Sequence, residues 1–254
     1  VVFGRELEEL KRIRFVYFSL IGMPFLFTAI SLLFLYGVAS ADISPEELEG
    51  LNIPITGGEG VWEAFMATLA ARWALLYLLI PSALPALIAA YSVVGEKLAR
   101  SLEPLLATPV EDSEVLAGKA LAATLPPLAA TYASLAIYLS ATQGLAFAAL
   151  GHLLVLESSI IVALILLPAP LAFAGAMLCV LVSARVNDVR TAEQAAVLLV
   201  VPLIGLFTAQ FAGAYTLGLL HILLLFAGLL VVDLLLLKSA RRVFSRETIL
   251  TRWG

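Results

Sequence analysis

Apolar residues run along this chain in six long blocks, separated by shorter stretches where acidic, basic and turn-forming residues gather. A helix needs about 20 mostly apolar residues to cross the hydrocarbon core of a bilayer. The blocks predict membrane spans at 15–39, 72–94, 115–140, 153–183, 195–212 and 217–237. They place the chain in the all-α class, as one polytopic integral membrane domain over 1–254 with a polar tail at 238–254. A small-x-small triplet at Ala39-Ser40-Ala41 resembles a signal-peptide cleavage site. The apolar run before it is longer than the roughly 7–15 residues of a cleavable segment, so an uncleaved first span is expected.

The stretch before the first span, Gly4–Arg14, alternates differently. Leu7, Leu10, Ile13 and Arg14 share one helical face, while Glu6, Glu8, Glu9, Lys11 and Arg12 fill the rest. That spacing predicts an amphipathic helix over 1–14, lying on the membrane surface and feeding into span one.

Composition agrees with the blocks: 62% of the 254 residues are hydrophobic and 13% charged, with a mean hydropathy of +1.04. Soluble domains carry roughly 25% charged residues. A net charge of −4 excludes the clustered basic excess of a nucleic-acid binder. Cys179 is the single cysteine, which rules out an internal disulfide and reads as a small buried hydrophobe.

Where the charges fall says more than their sum. Lys and Arg near span ends stay on the cytoplasmic side. Arg5, Lys11, Arg12 and Arg14 precede span one; Lys97, Arg100 and Lys119 lie between spans two and three; Arg185 and Arg190 lie between four and five. Lys238, Arg241, Arg242, Arg246 and Arg252 follow span six. With both ends inside, Arg72 is the exception among 15 bases, and it is expected to snorkel at the outer mouth of span two. The first outer connection, with Asp42, Glu46, Glu47, Glu49 and Glu59, reads as a solvated acidic loop.

The connection between spans two and three, over 95–114, is far longer than a turn requires. Leu98, Leu102, Leu105 and Leu106 mark one helical face, with Glu96, Lys97, Arg100, Ser101 and Glu103 opposite. Pro104 interrupts this helix. Thr108-Pro109-Val110-Glu111 then supplies a capping hydroxyl, a first-turn proline and an acid, so a new helix is expected from Pro109.

At this segment the chain resembles the permease subunits of ABC-2 type ABC transporters. The residues that carry the resemblance are Gly95-Glu96-Lys97, the run Leu102 to Val110 (LEPLLATPV) and Gly118-Lys119, with a second match in the polar loop Ser183 to Gln194. The resemblance implies a permease half, of an exporter by family type, that pairs with a second copy or a paralogue to form the substrate pathway in the plasma membrane. Separate ATPase subunits, carrying ATP and Mg, would drive it. It further implies a coupling helix over 96–103 seated on the ATPase, with Glu96, Lys97, Arg100 and Glu103 making that contact.

No nucleotide site is encoded here: Gly118-Lys119 is followed by Ala120 and lacks the upstream glycine of a phosphate loop. His152 and His221 have no acidic or histidine neighbours at metal-ligand spacing, and no hydrolase motif occurs, so neither enzymatic chemistry nor a bound cofactor is expected on this chain. Prolines at 24, 81, 85, 126, 127, 168, 170 and 202 suit kinked spans, and the adjacent pair Pro126-Pro127 is the expected helix break. Glu157 is the candidate pathway acid, against a placement at the interface, and Asp233 is expected to pair with bases near the inner end. A transporter or channel driven by an ion gradient is the competing reading, with Glu157 as its ion site.

Overall fold

The computed structural model describes residues 3–6, 8, 13–41, 60–98, 112–211 and 218–243. All regular structure among them is helical. In chain order these helices are α1 (Arg14–Ala39), α2 (Val61–Leu76), α3 (Leu79–Leu98), α4 (Asp112–Leu150), α5 (Ser158–Leu166), α6 (Pro168–Ser183), α7 (Val189–Glu193), α8 (Val197–Phe211) and α9 (Leu219–Val243). They make six helical stretches long and apolar enough to cross a membrane, which is the architecture of a multi-pass membrane protein.

Span two is longer than the apolar run suggests, beginning at Val61 and ending at Leu98. Arg72 therefore lies half-buried inside α2, about three turns from its start, and not at the mouth of the span. Span three likewise continues past Ser140 to Leu150, and span six past Leu237 to Val243. Span five starts earlier, at Val189, through α7 and a short 3₁₀ turn over Gln194–Ala196. In each case the helix runs on through small or amphipathic residues that a hydropathy threshold discounts, because ending it would strand backbone N–H and C=O groups.

Spans two and four each bend at a proline. Pro81 cannot donate to Tyr77 O, and the chain tightens there through i to i+3 bonds, Tyr77 N to Ala74 O, Leu78 N to Leu75 O and Ile80 N to Tyr77 O. In span four Pro168 interrupts the ladder between α5 and α6. The hydroxyl of Tyr132, reaching across from α4, donates to Ile165 O at 2.8 Å beside this break.

The expected break at Pro126-Pro127 does not occur: α4 is one helix of 39 residues with both prolines inside. Two missing N–H groups cost less than two new helix ends, each with four unpaired backbone groups, would cost in lipid.

Spans two and four form the centre, with 72% and 67% of their apolar windows enclosed, while span six is enclosed over only 11%. The central contact is α3 on α6. Gly175 allows it: a Cβ there would stand 2.7 Å from the carbonyl oxygen of Ser82. Near the bend, Tyr77 is fully buried, donates to Thr28 Oγ1 at 2.9 Å and packs its ring 5.2 Å from that of Tyr138. Tyr138 in turn donates to Ala70 O, which joins α1, α2 and α4 through polar groups that would otherwise be orphaned.

Gly175→Ala is expected to lower stability by about 1–3 kcal/mol through overpacking against rigid backbone. Thermal unfolding in detergent checks this, with Gly205→Ala, at an open face, as the silent control.

Candidate functional site

The helices alternate in direction, so Arg14, Leu98, Asp112, Ser183 and Val243 gather at one end, which also holds most of the described bases. At this basic end three segments meet around Lys119. Its ammonium lies 2.7 Å from Glu6 Oε1, 2.6 Å from Glu96 Oε2 and 2.9 Å from Ser92 Oγ. The ammonium donates to Glu6 Oε1 and Ser92 Oγ and makes a close ion pair with Glu96. Ser92 also donates to Glu6 Oε2 at 2.8 Å, closing the ring. Lys119, Glu6 and Glu96 are 2%, 4% and 6% exposed, so the ion cluster is a buried one, with two carboxylates around one ammonium.

Sequence and helix geometry explain why these side chains meet. Ile88, Ser92 and Glu96 follow one another at four-residue spacing on α3, and Leu116, Lys119 and Ala123 do so at three and four on α4. Both stripes face the same apolar cluster, which contains Ile88, Val93, Leu116, Ala120 and Ala123. Glu6 comes from the N-terminal segment, where residues 3–6 and 8 are helical. It was expected on the polar outer face of that helix and is turned inward, where its Oε1 lies 2.7 Å from the Lys119 ammonium.

The expected coupling residues separate. Glu96 is buried and faces inward, its Oε2 at 2.6 Å from the Lys119 ammonium. Residues 95–98 continue α3 and form no separate helix. Lys97 is half-buried, and its ammonium donates to Val186 O at 3.4 Å, tying α3 to the loop between spans four and five. Arg100, Glu103 and the start expected at Pro109 lie outside the described residues.

That loop is itself well fixed. Asp188 caps α7, its Oδ2 accepting from the hydroxyl of Thr191 at 2.9 Å and from Thr191 N at 3.0 Å. These two bonds hold the exposed Asp188 carboxyl below the ordinary aspartate value, with Arg190 assisting. A depressed folded value means the cap persists above the usual carboxylate range and weakens only as pH falls through that lower value. Cys179 is buried as expected, its thiol pointing to Ala192 O at 3.4 Å.

At the opposite end Glu157 stands just before α5, outside the helix, and is exposed. His152 lies 3.4 Å from Glu63 Oε1 there. Asp233 does not pair with the bases that follow it: its Oδ1 is buried without a hydrogen-bond partner among the described residues, and Lys238 is exposed on another face of α9.

Searches against protein-family models, curated proteins and solved structures give no match to this chain.

Replacing Lys119 with Met should strand two buried carboxylates and cost about 3–5 kcal/mol of stability. Adding Glu6→Gln and Glu96→Gln to Lys119→Met should recover most of that loss in thermal unfolding. A Lys119→Met chain as stable as the parent would contradict the cluster.

Proposed function

We propose that this chain is the membrane-spanning permease subunit of an ATP-driven transporter of the ABC-2 type, of exporter direction and located in the plasma membrane. In this reading the basic end is cytoplasmic. Two permease chains, identical or paralogous, form the substrate pathway, and two ATPase subunits dock beneath them with ATP and Mg. No nucleotide or other cofactor is bound by the permease itself.

The observation that carries the reading is the construction of both stems of the connection 99–111. Glu96 and Ser92 on the stem that enters it and Lys119 on the stem that leaves it are joined through one buried ammonium, with Glu6 of the N-terminal segment as a third anchor. A push delivered to the connection therefore reaches spans two and three together, and through Lys97 the loop that leads into span five. That is the mechanical requirement for hydrolysis on one polypeptide to move helices in another. The sequence of the connection, with its resemblance to the ABC-2 pattern, and the sorting of bases to one end support the same reading.

Glu96 here is a positioning residue for the coupling segment. Contact with the ATPase falls to side chains of the connection itself, for which Arg100 and Glu103 are the candidates.

Two measurements test this. With Cys179 replaced by Ala, a cysteine introduced at position 100 should react with a membrane-impermeant maleimide only when the cytoplasmic side is opened, and one at position 59 from outside. Second, the complex purified mildly from native membranes should contain an ATPase, and replacing 99–111 by an equally long Gly-Ser run should release it while the six-span chain stays folded. ATPase association indifferent to that replacement, or ATP-independent transport by the purified single chain in vesicles, would overturn the reading; the latter would favour an ion-gradient mechanism.

A further inference from the structure

Asp233 lies on the stripe Ile222, Leu229, Asp233 and Ala240, the face of α9 that is buried in the protein, and α9 packs chiefly on α6. It is 8% exposed, and Oδ1 finds no hydrogen-bond donor among the described residues. Among the described residues, the helices packed against α9 supply no ion pair to this carboxyl. On α6 the titratable group is Cys179, already directed to Ala192 O, and α5 carries none. On α4, Tyr132 and Tyr138 donate to Ile165 O and Ala70 O, while Glu114 and Lys119 lie at its basic end, Lys119 taken up by Glu6 and Glu96. On α9 itself His221 and Lys238 are exposed, and Lys238 follows five residues on, about 140° around the helix. Arg241 and Arg242 are exposed in its last turn.

A carboxylate in this seat would have neither cation nor sufficient donors, whereas the neutral acid is tolerated. A metal cation is a poor occupant, because such ions take several oxygen ligands and the side chains that α6 buries include one hydroxyl, that of Ser183.

We propose that Asp233 is a proton-binding site, a carboxylic acid that rests neutral between α9 and α6 and exchanges its proton with the aqueous side at the basic end. Lys238, the first of the bases that mark that end, is about 8 Å further along the helix axis, so the path for the proton is short. Loss of the proton creates a charge that must be solvated, which requires α9 to loosen from α6 or water to enter between them. The site thereby makes the packing of the least enclosed span responsive to pH, whatever drives the pathway.

Dicyclohexylcarbodiimide tests this without a transport assay. The O–H of a protonated carboxyl adds across one C=N bond of the reagent, and the O-acylisourea rearranges to a stable N-acylurea with no atom leaving. The full chain in native membranes is treated across a pH series and the adduct located by peptide mass spectrometry. The expected result is an adduct at Asp233 under mildly acid and neutral conditions, falling about tenfold per pH unit on the alkaline side. Asp233→Asn should abolish it while keeping the parental unfolding midpoint, and a folded Asp233→Glu chain should retain it. No adduct in the folded parent, or an adduct independent of pH, overturns the proposal. Suppression by Na⁺ or Li⁺ at fixed pH also overturns it, in favour of a metal cation.

Discussion

A lysine ammonium buried at the end of a membrane bundle can be kept only if opposite charge is brought to it, and Lys119 imposes that condition on its surroundings. Its own helix supplies no carboxylate in contact; both come from elsewhere, Glu96 from span two and Glu6 from the segment before span one. The ammonium therefore fixes where three separate stretches of chain must lie. Removing the ammonium leaves two carboxylates uncompensated in a poorly solvated place, and that penalty, more than the attraction itself, gives the cluster its hold.

The rest of the molecule divides around this constraint. Spans two and four, pressed together where Gly175 meets the Ser82 carbonyl, form an enclosed centre whose proline bends are braced by tyrosine hydroxyls. Spans one and six lie outside it with long apolar faces exposed on the surface of the bundle. A centre that is stiff, with stems tied at one end and outer spans lightly held, suits transmission of a displacement from the basic end into the bilayer. The lightly held span six is also the one that carries Asp233.

The six spans were legible because lipid leaves so few alternatives: an apolar run of this length has to be a helix. Their ends were less so. Val61 to Ala74 is rich in alanine with Glu63 and Arg72, and only the packing of Met66, Ala70 and Ala74 against neighbouring spans shows its start to be part of span two. Pro126-Pro127 misled for a related reason, since proline is judged by rules learned in water, where a broken helix end can be hydrated. Glu96, Glu6 and Lys119 were read as surface charges because each was weighed alone. The stripes Ile88, Ser92, Glu96 and Leu116, Lys119, Ala123 did place charge on buried faces, but nothing local says that the faces meet. Arg100 and Glu103 lie outside the described residues.

The central claim is that the N-terminal segment and both stems of the connection behave as one body because Lys119 joins them. Hydrogen exchange on the full chain in lipid nanodiscs, comparing the parent with Lys119→Met, tests it most directly. The account predicts that amides at 3–8, 92–98 and 112–119 lose protection together while those around Gly175 keep it. Loss confined to one of the three stretches, with the other two unchanged, would contradict it.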